Sequence, residues 1–140
     1  MSRPLQLRGP IHPLIDEALV AAMVDRFYGR VREDAVLGPI FDRVIGDGWD
    51  AHLQRMKDFW SSITMMTGRY KGTPLAAHQR IGGLGPGHFE RWLRLWRETA
   101  REVCMSEEVA GLFIERAERI ARSLLFGLTD VTAGAASPGG

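Results

Sequence analysis

Residues 49–63 read WDAHLQRMKDFWSSI, and this stretch decides the fold class. Trp49, His52, Leu53, Met56, Phe59, Trp60 and Ile63 follow one another at steps of three and four residues, with single adjacent pairs between. That spacing places all seven on one face of an α-helix, whereas a half-buried strand would need strict alternation. One member is out of character. His52 is an imidazole on an otherwise apolar face, and a buried imidazole needs a partner or a purpose. The plain purpose is a hydrogen bond to a backbone carbonyl.

Helical spacing continues on both sides. Upstream, a helix is expected over Leu14–Arg32, with Val20, Val24, Phe27, Tyr28 and Val31 as its apolar stripe. A compact turn follows at Leu37–Phe41, forced by Gly38 and Pro39. Downstream, Thr73 caps a short helix that begins at Pro74 and carries His78. Gly82, Gly83 and Gly85 end it. The next helix runs from Pro86 to about Met105, with Phe89, Trp92, Leu93, Trp96, Ala100 and Val103 in register. The last opens at Ser106, with Glu107 and Glu108 favouring its positive end, and buries Val109, Leu112, Phe113, Ala117, Ile120 and Leu124. The chain is therefore expected to be all-α, a helical bundle or a globin-like sandwich. Its domain spans 14–128, between an irregular 1–13 segment rich in proline and a disordered 129–140 tail ending VTAGAASPGG.

Composition removes several function classes. At 140 residues and 45% hydrophobic, the chain can build one core. Eighteen basic against seventeen acidic side chains argue against nucleic-acid coating, which runs on surplus cationic charge. No apolar run is long enough to span a bilayer, and the N-terminal residues do not resemble a signal peptide. Cys104 stands alone and can form neither an internal disulfide nor a CxxC motif, so a reducing, cytoplasmic setting is expected. The Gly82–Gly87 stretch lacks both a preceding strand and a Gly-Lys-Ser/Thr ending, so it connects helices and cradles no phosphate. HExxH is absent, as is any carboxylate pair suited to a di-iron bundle.

Four histidines remain as candidates. His12 sits in the irregular start, and His88 is placed to help begin its helix. His78 rides on a short helix with little core of its own, which suits the presentation of a ligand but equally suits a surface histidine. Tyr28 and Trp92 fall on buried stripes, and each carries one hydrogen that wants an acceptor. Trp60 and Trp96 read as core. Any one of these polar groups is unremarkable. Three of them on three helices, His52, Tyr28 and Trp92, are harder to place as unpaired core groups, at on the order of 1–3 kcal/mol each.

The strings FYGRVRED (27–34), LGPIF (37–41), WDAH (49–52), FW (59–60), YKGTPLAAH (70–78) and HFERWL (88–93) occur in order between Leu14 and Leu125. In that order and spacing they resemble the truncated haemoglobins, group III in particular. The resemblance implies a truncated globin fold around haem b, with His78 as the iron's protein ligand. It implies Phe41 against the haem plane, and Tyr28, His52 and Trp92 on the side where a gas ligand binds. Met56, Trp60, Tyr70 and Leu75 would line the haem pocket. The implied partners are O₂, NO and CO, with an unidentified reductase, and the implied role is redox handling or detoxification of O₂, NO or peroxide rather than bulk oxygen transport. NO dioxygenase or peroxidase-like activity fits that role. A monomer or weak homodimer is expected, with neither nucleic acid nor membrane as partner. Two other readings stay open at this point. One is an electron-transfer haem protein ligated by both His52 and His78; the other is a helical interaction module without cofactor.

Overall fold

The computed structural model describes residues 9–72, 74, 78, 81 and 83–136, with side chains as far as Leu128. Among the described residues there are five long helical elements and no strand. α1 spans Glu17–Glu33 and begins where the Asp16 carboxylate accepts the Leu19 amide at 2.9 Å. α2 spans Leu37–Ile45 and α3 spans Trp49–Met65. α4 covers Pro86–Val103 and α5 covers Glu107–Ala136, the latter entered through Ser106, whose hydroxyl accepts the Val109 amide at 3.1 Å.

Two expectations need correction. The turn expected at Leu37–Phe41 is the first half of a nine-residue helix. Leu37, Ile40, Phe41, Val44 and Ile45 stand at helical spacing, and the Asp34 carboxylate accepts the Val36 and Leu37 amides at 3.0 and 2.9 Å. Gly38 is required there for closeness: a Cβ on it would lie 2.7 Å from the Arg32 carbonyl oxygen. The tail expected to be disordered from residue 129 is helical as far as Ala136. Ala133, Ala135 and Ala136 favour helix. Residues 1–8 and 137–140 lie outside the described residues, as does the Thr73 cap.

α1 packs across α3 and α4, and α4 packs along α5. Between them Val24, Phe27, Val31, Trp96, Ala100, Phe113 and Ala117 are wholly buried. The polar groups of Trp96, Thr64 and Thr99 inside this core are spent. The Trp96 indole N–H donates to the Phe113 carbonyl at 3.0 Å, and Thr64 and Thr99 each donate to a carbonyl one turn back at 2.7 Å. The α3 stripe behaves differently along its length. Trp49 and Trp60 are buried in the core, but His52, Met56 and Phe59 are only half-buried because they wall a cavity. Among the described residues no helix is long and apolar enough to cross a membrane.

Candidate functional site

The cavity measures about 430 Å³ and opens between α2, α3, α4 and the middle of α5. Each long element contributes to its wall: Tyr28 from α1, Phe41 from α2, Met56 and Trp60 from α3, Trp92 from α4, Leu124 from α5. His78 and Tyr70 close it from the segment between α3 and α4. All the expected site residues that are described, namely Tyr28, Phe41, His52, Met56, Trp60, Tyr70, His78 and Trp92, line this one space. Leu75 lies outside the described residues.

His78 is held by one bond. Its Nδ1 sits 2.7 Å from the Pro74 carbonyl oxygen, and both residues are helical. A carbonyl only accepts, so Nδ1 carries the hydrogen. The neutral ring then keeps a lone pair on Nε2, the form in which imidazole binds a metal. The Phe89 ring stands beside it, with centroids 6.3 Å apart.

Tyr28 and His52 meet edge to face at 4.9 Å, with Phe41 at 5.9 Å from Tyr28 and 6.4 Å from His52. Their polar atoms are unspent. His52 Nε2 is buried with no hydrogen-bond partner. Among the described residues, nothing bonds the Tyr28 hydroxyl or the Trp92 indole N–H either. Burial pushes the His52 pKa down to about 4, helped by the nearby positive charge of Arg55 and by His78, so the ring is neutral at pH 7. Burial also pushes the Tyr28 phenol well above its usual range, so it keeps its hydrogen and remains a donor.

The other histidines fall where their sequence positions suggest. His12 Nδ1 accepts the Leu14 amide at 3.0 Å, and His88 Nδ1 accepts the Gly85 amide at 3.1 Å at the start of α4. The Tyr70 ring packs edge-on against Phe59 at 5.0 Å and folds over Gly72, where a Cβ would come within 2.5 Å of its hydroxyl oxygen.

Several wall residues went unnoticed in the sequence. Arg55 lines the cavity mouth and is exposed; its place three residues after His52 on α3 is the signal that could have found it. His88 also reaches the wall, beyond its capping role. Arg91 donates to the Asp34 carboxylate at 2.6 Å, tying α4 to the α1–α2 corner that carries Tyr28 and Phe41. Burial alone would raise the Asp34 pKa, but hydrogen bonds from Arg91 and from the Leu37 and Val36 amides outweigh it, and the net shift is downward.

Comparison with known proteins gives this geometry a lineage. No protein-family model matches the chain. Over 110 residues, 76% of this chain and 86% of the other, it is 33% identical to the group 3 truncated haemoglobin of Campylobacter jejuni. The chain belongs to the group III truncated haemoglobins. The crystal structure of the Campylobacter jejuni group III protein superposes with a TM-score of 0.78 at 32% identity, covering 84% of this truncated haemoglobin and 94% of that chain. The 2/2 haemoglobin of Synechococcus sp. PCC 7002, solved in the cyanomet state with covalently attached haem, shares the fold at a TM-score of 0.70 and 24% identity, over 80% of this chain and 94% of that one. The all-α class expected from helical periodicity, and the truncated globin fold that the family resemblance implied, are thus what is observed.

Proposed function

We propose that this truncated haemoglobin holds haem b in the cavity, with His78 Nε2 as the iron's protein ligand. The observation that carries the reading is the His78–Pro74 bond, which leaves an imidazole lone pair at the edge of a cavity walled mainly by apolar side chains. The buried, unpartnered His52 Nε2 adds to it, because an orphaned buried polar atom costs on the order of 1–3 kcal/mol unless a ligand satisfies it. The residues fit the group in other ways. Phe41, Met56, Trp60 and Tyr70 offer flat or flexible apolar surface, and Leu75 joins them by family resemblance. The Arg55 guanidinium at the exposed mouth is placed to pair with a haem carboxylate.

Bound haem supplies an iron with an open position for O₂, NO or CO. The chain's own contribution is the hydrogens around that position. Tyr28 and Trp92 donate to negative charge on the ligand, His52 is a third polar group beside them, and the apolar wall keeps water out. Two such bonds at about 1 kcal/mol each slow ligand release by an order of magnitude or more. Slow release suits redox chemistry on O₂, NO or peroxide, such as NO dioxygenation or peroxidase-like turnover, and does not suit bulk transport. A cytoplasmic reductase would restore the reduced state, and the protein would act as a monomer or weak homodimer.

The absorption spectrum of the purified protein in ferric, ferrous and CO-bound forms tests this. A strong Soret band that shifts on reduction and on CO addition is expected. A protein that stays colourless after haemin is added is a helical interaction module instead. His52 and His78 line the same cavity, so ligation by both is the second haem reading. A low-spin ferric spectrum at neutral pH, lost in His52→Leu, would select it.

A further inference from the structure

Three of the four tryptophans form one stacked series, with Trp96 in the middle. Trp92 and Trp96 lie one turn apart on α4 with planes 5° apart and centroids at 6.1 Å, and Trp96 stacks on Trp60 of α3 at 4.4 Å and 19°. Trp92 and Trp60 both line the cavity, while Trp96 is wholly buried behind them. Phe27 and Phe113, also wholly buried, flank the stack: Phe27 sets its edge on Trp92 at 5.5 Å and on Trp96 at 4.9 Å, and Phe113 stands 6.0 Å from Trp60. Indole is among the more easily oxidised side chains, and phenylalanine is not. The arrangement is a chain of oxidisable rings that begins at the cavity wall inside a sleeve of inert ones.

We propose that this stack is a one-electron donor to the cavity, and that it takes up an oxidising equivalent when peroxide reacts there. The proposal rests on the haem reading above. Hydrogen peroxide accepts two electrons, and two protons from solvent water, to become two waters. With haem bound, the stack would give up one of these electrons, leaving one radical cation spread over Trp92, Trp96 and Trp60, and the ferric haem would supply the other. Two equivalents of a one-electron donor of the phenol or ascorbate class then restore both. Trp96 keeps its proton through this cycle, because its N–H faces the Phe113 carbonyl, a very weak base. Trp49 is the built-in contrast. It lies beside Tyr28 and His52 but outside the stack, with the Arg32 guanidinium 4.3 Å over its ring and its N–H on the Asp42 carboxylate at 3.2 Å. A cation over the ring is attracted by its π-electrons and opposes their removal.

Freeze-quenched electron paramagnetic resonance of the ferric, haem-loaded protein after hydrogen peroxide tests the proposal, with peptide mass spectrometry of the oxidised residues. The expected result is a protein radical whose linewidth changes when tryptophan, and not tyrosine, is ring-deuterated. Oxygen adducts should map to Trp60, Trp92 and Trp96. Trp96→Phe should lose most of the signal and speed haem bleaching. Trp60→Phe, which leaves Trp96 in place, should do so in part, and Trp49→Phe should leave the signal intact. A radical on tyrosine or Trp49, or one that both stack variants leave unchanged, overturns the proposal while the haem reading stands. Failure to bind haem at all overturns both.

Discussion

Trp92 and Trp96 are the same residue type, one turn apart on the same face of α4, with their rings parallel. They live under opposite rules. Trp96 is wholly buried and spends its N–H on the Phe113 carbonyl; Trp92 is half-buried, lines the cavity and spends its N–H on no described residue. The contrast extends to their neighbours. Around Trp96, Thr64 and Thr99 are satisfied by carbonyls. On the cavity wall that Trp92 shares, Tyr28 and His52 keep theirs in reserve. Folding satisfies polar groups wherever nothing else will, so unsatisfied ones grouped on one wall mark the place where a ligand completes the structure.

The largest expected effect separates the two tryptophans by stability. Trp96→Ala should cost about 3–5 kcal/mol, and Trp92→Ala clearly less, since it already borders empty space. Urea unfolding of both variants checks this, and equal losses would erase the distinction between core and wall. Next in size, Arg91→Met should cost about 2 kcal/mol, because it strands the Asp34 carboxylate, whose side chain is 7% exposed. The sign with pH follows from the depressed Asp34 pKa. Its contribution is full above the ordinary carboxylate value and is lost as pH falls through the lower folded value. The variant should therefore be closest to the parent in acid and furthest from it near neutrality.

At the wall, Tyr28→Phe and Trp92→Phe should each speed O₂ dissociation several-fold, about 1 kcal/mol apiece, whereas Trp96→Phe should leave that rate alone. Stopped-flow displacement by CO reads all three. The smallest effect is on His52. Its folded pKa of about 4 lies below the ordinary 6.5, so the folded state resists protonation. Stability of the haem-free protein should be unaffected above about pH 6.5 and should fall by about 1 kcal/mol as pH drops toward 4, after allowance for partial solvent access. His52→Leu should flatten that slope; an unchanged slope would place the acid sensitivity elsewhere.

Much of this contrast is legible in the sequence. Periodicity places helices at Trp49 to Met65 and at Pro86 to about Met105, because side chains that share a buried face must recur at the helical pitch. It also flagged His52, Tyr28 and Trp92 as polar tips on apolar stripes. What periodicity does not convey is which part of a stripe faces core and which faces a cavity. Trp96 and Trp92 are indistinguishable in that respect, and only the α5 carbonyl at Phe113 tells them apart. Gly38 and Pro39 are strong local signals for a turn, yet they lie within the α2 helix. The Asp34 carboxylate, capping from outside the segment, outweighed them. Arg55 escaped notice because surface cations are common and nothing local distinguishes one at a cavity mouth. The Asp34–Arg91 pair joins residues 57 apart, a separation no sequence window spans.

The role of His78 carries the functional reading, and one measurement reaches it directly. Ferric and ferrous-CO spectra should be recorded for the parent and for His78→Ala, each with and without added imidazole. The expected result is a variant with weakened haem retention and an altered Soret band, both moved back toward the parent by imidazole acting as the missing ligand. Identical haem affinity and identical spectra in parent and variant would contradict His78 as the residue that holds the iron.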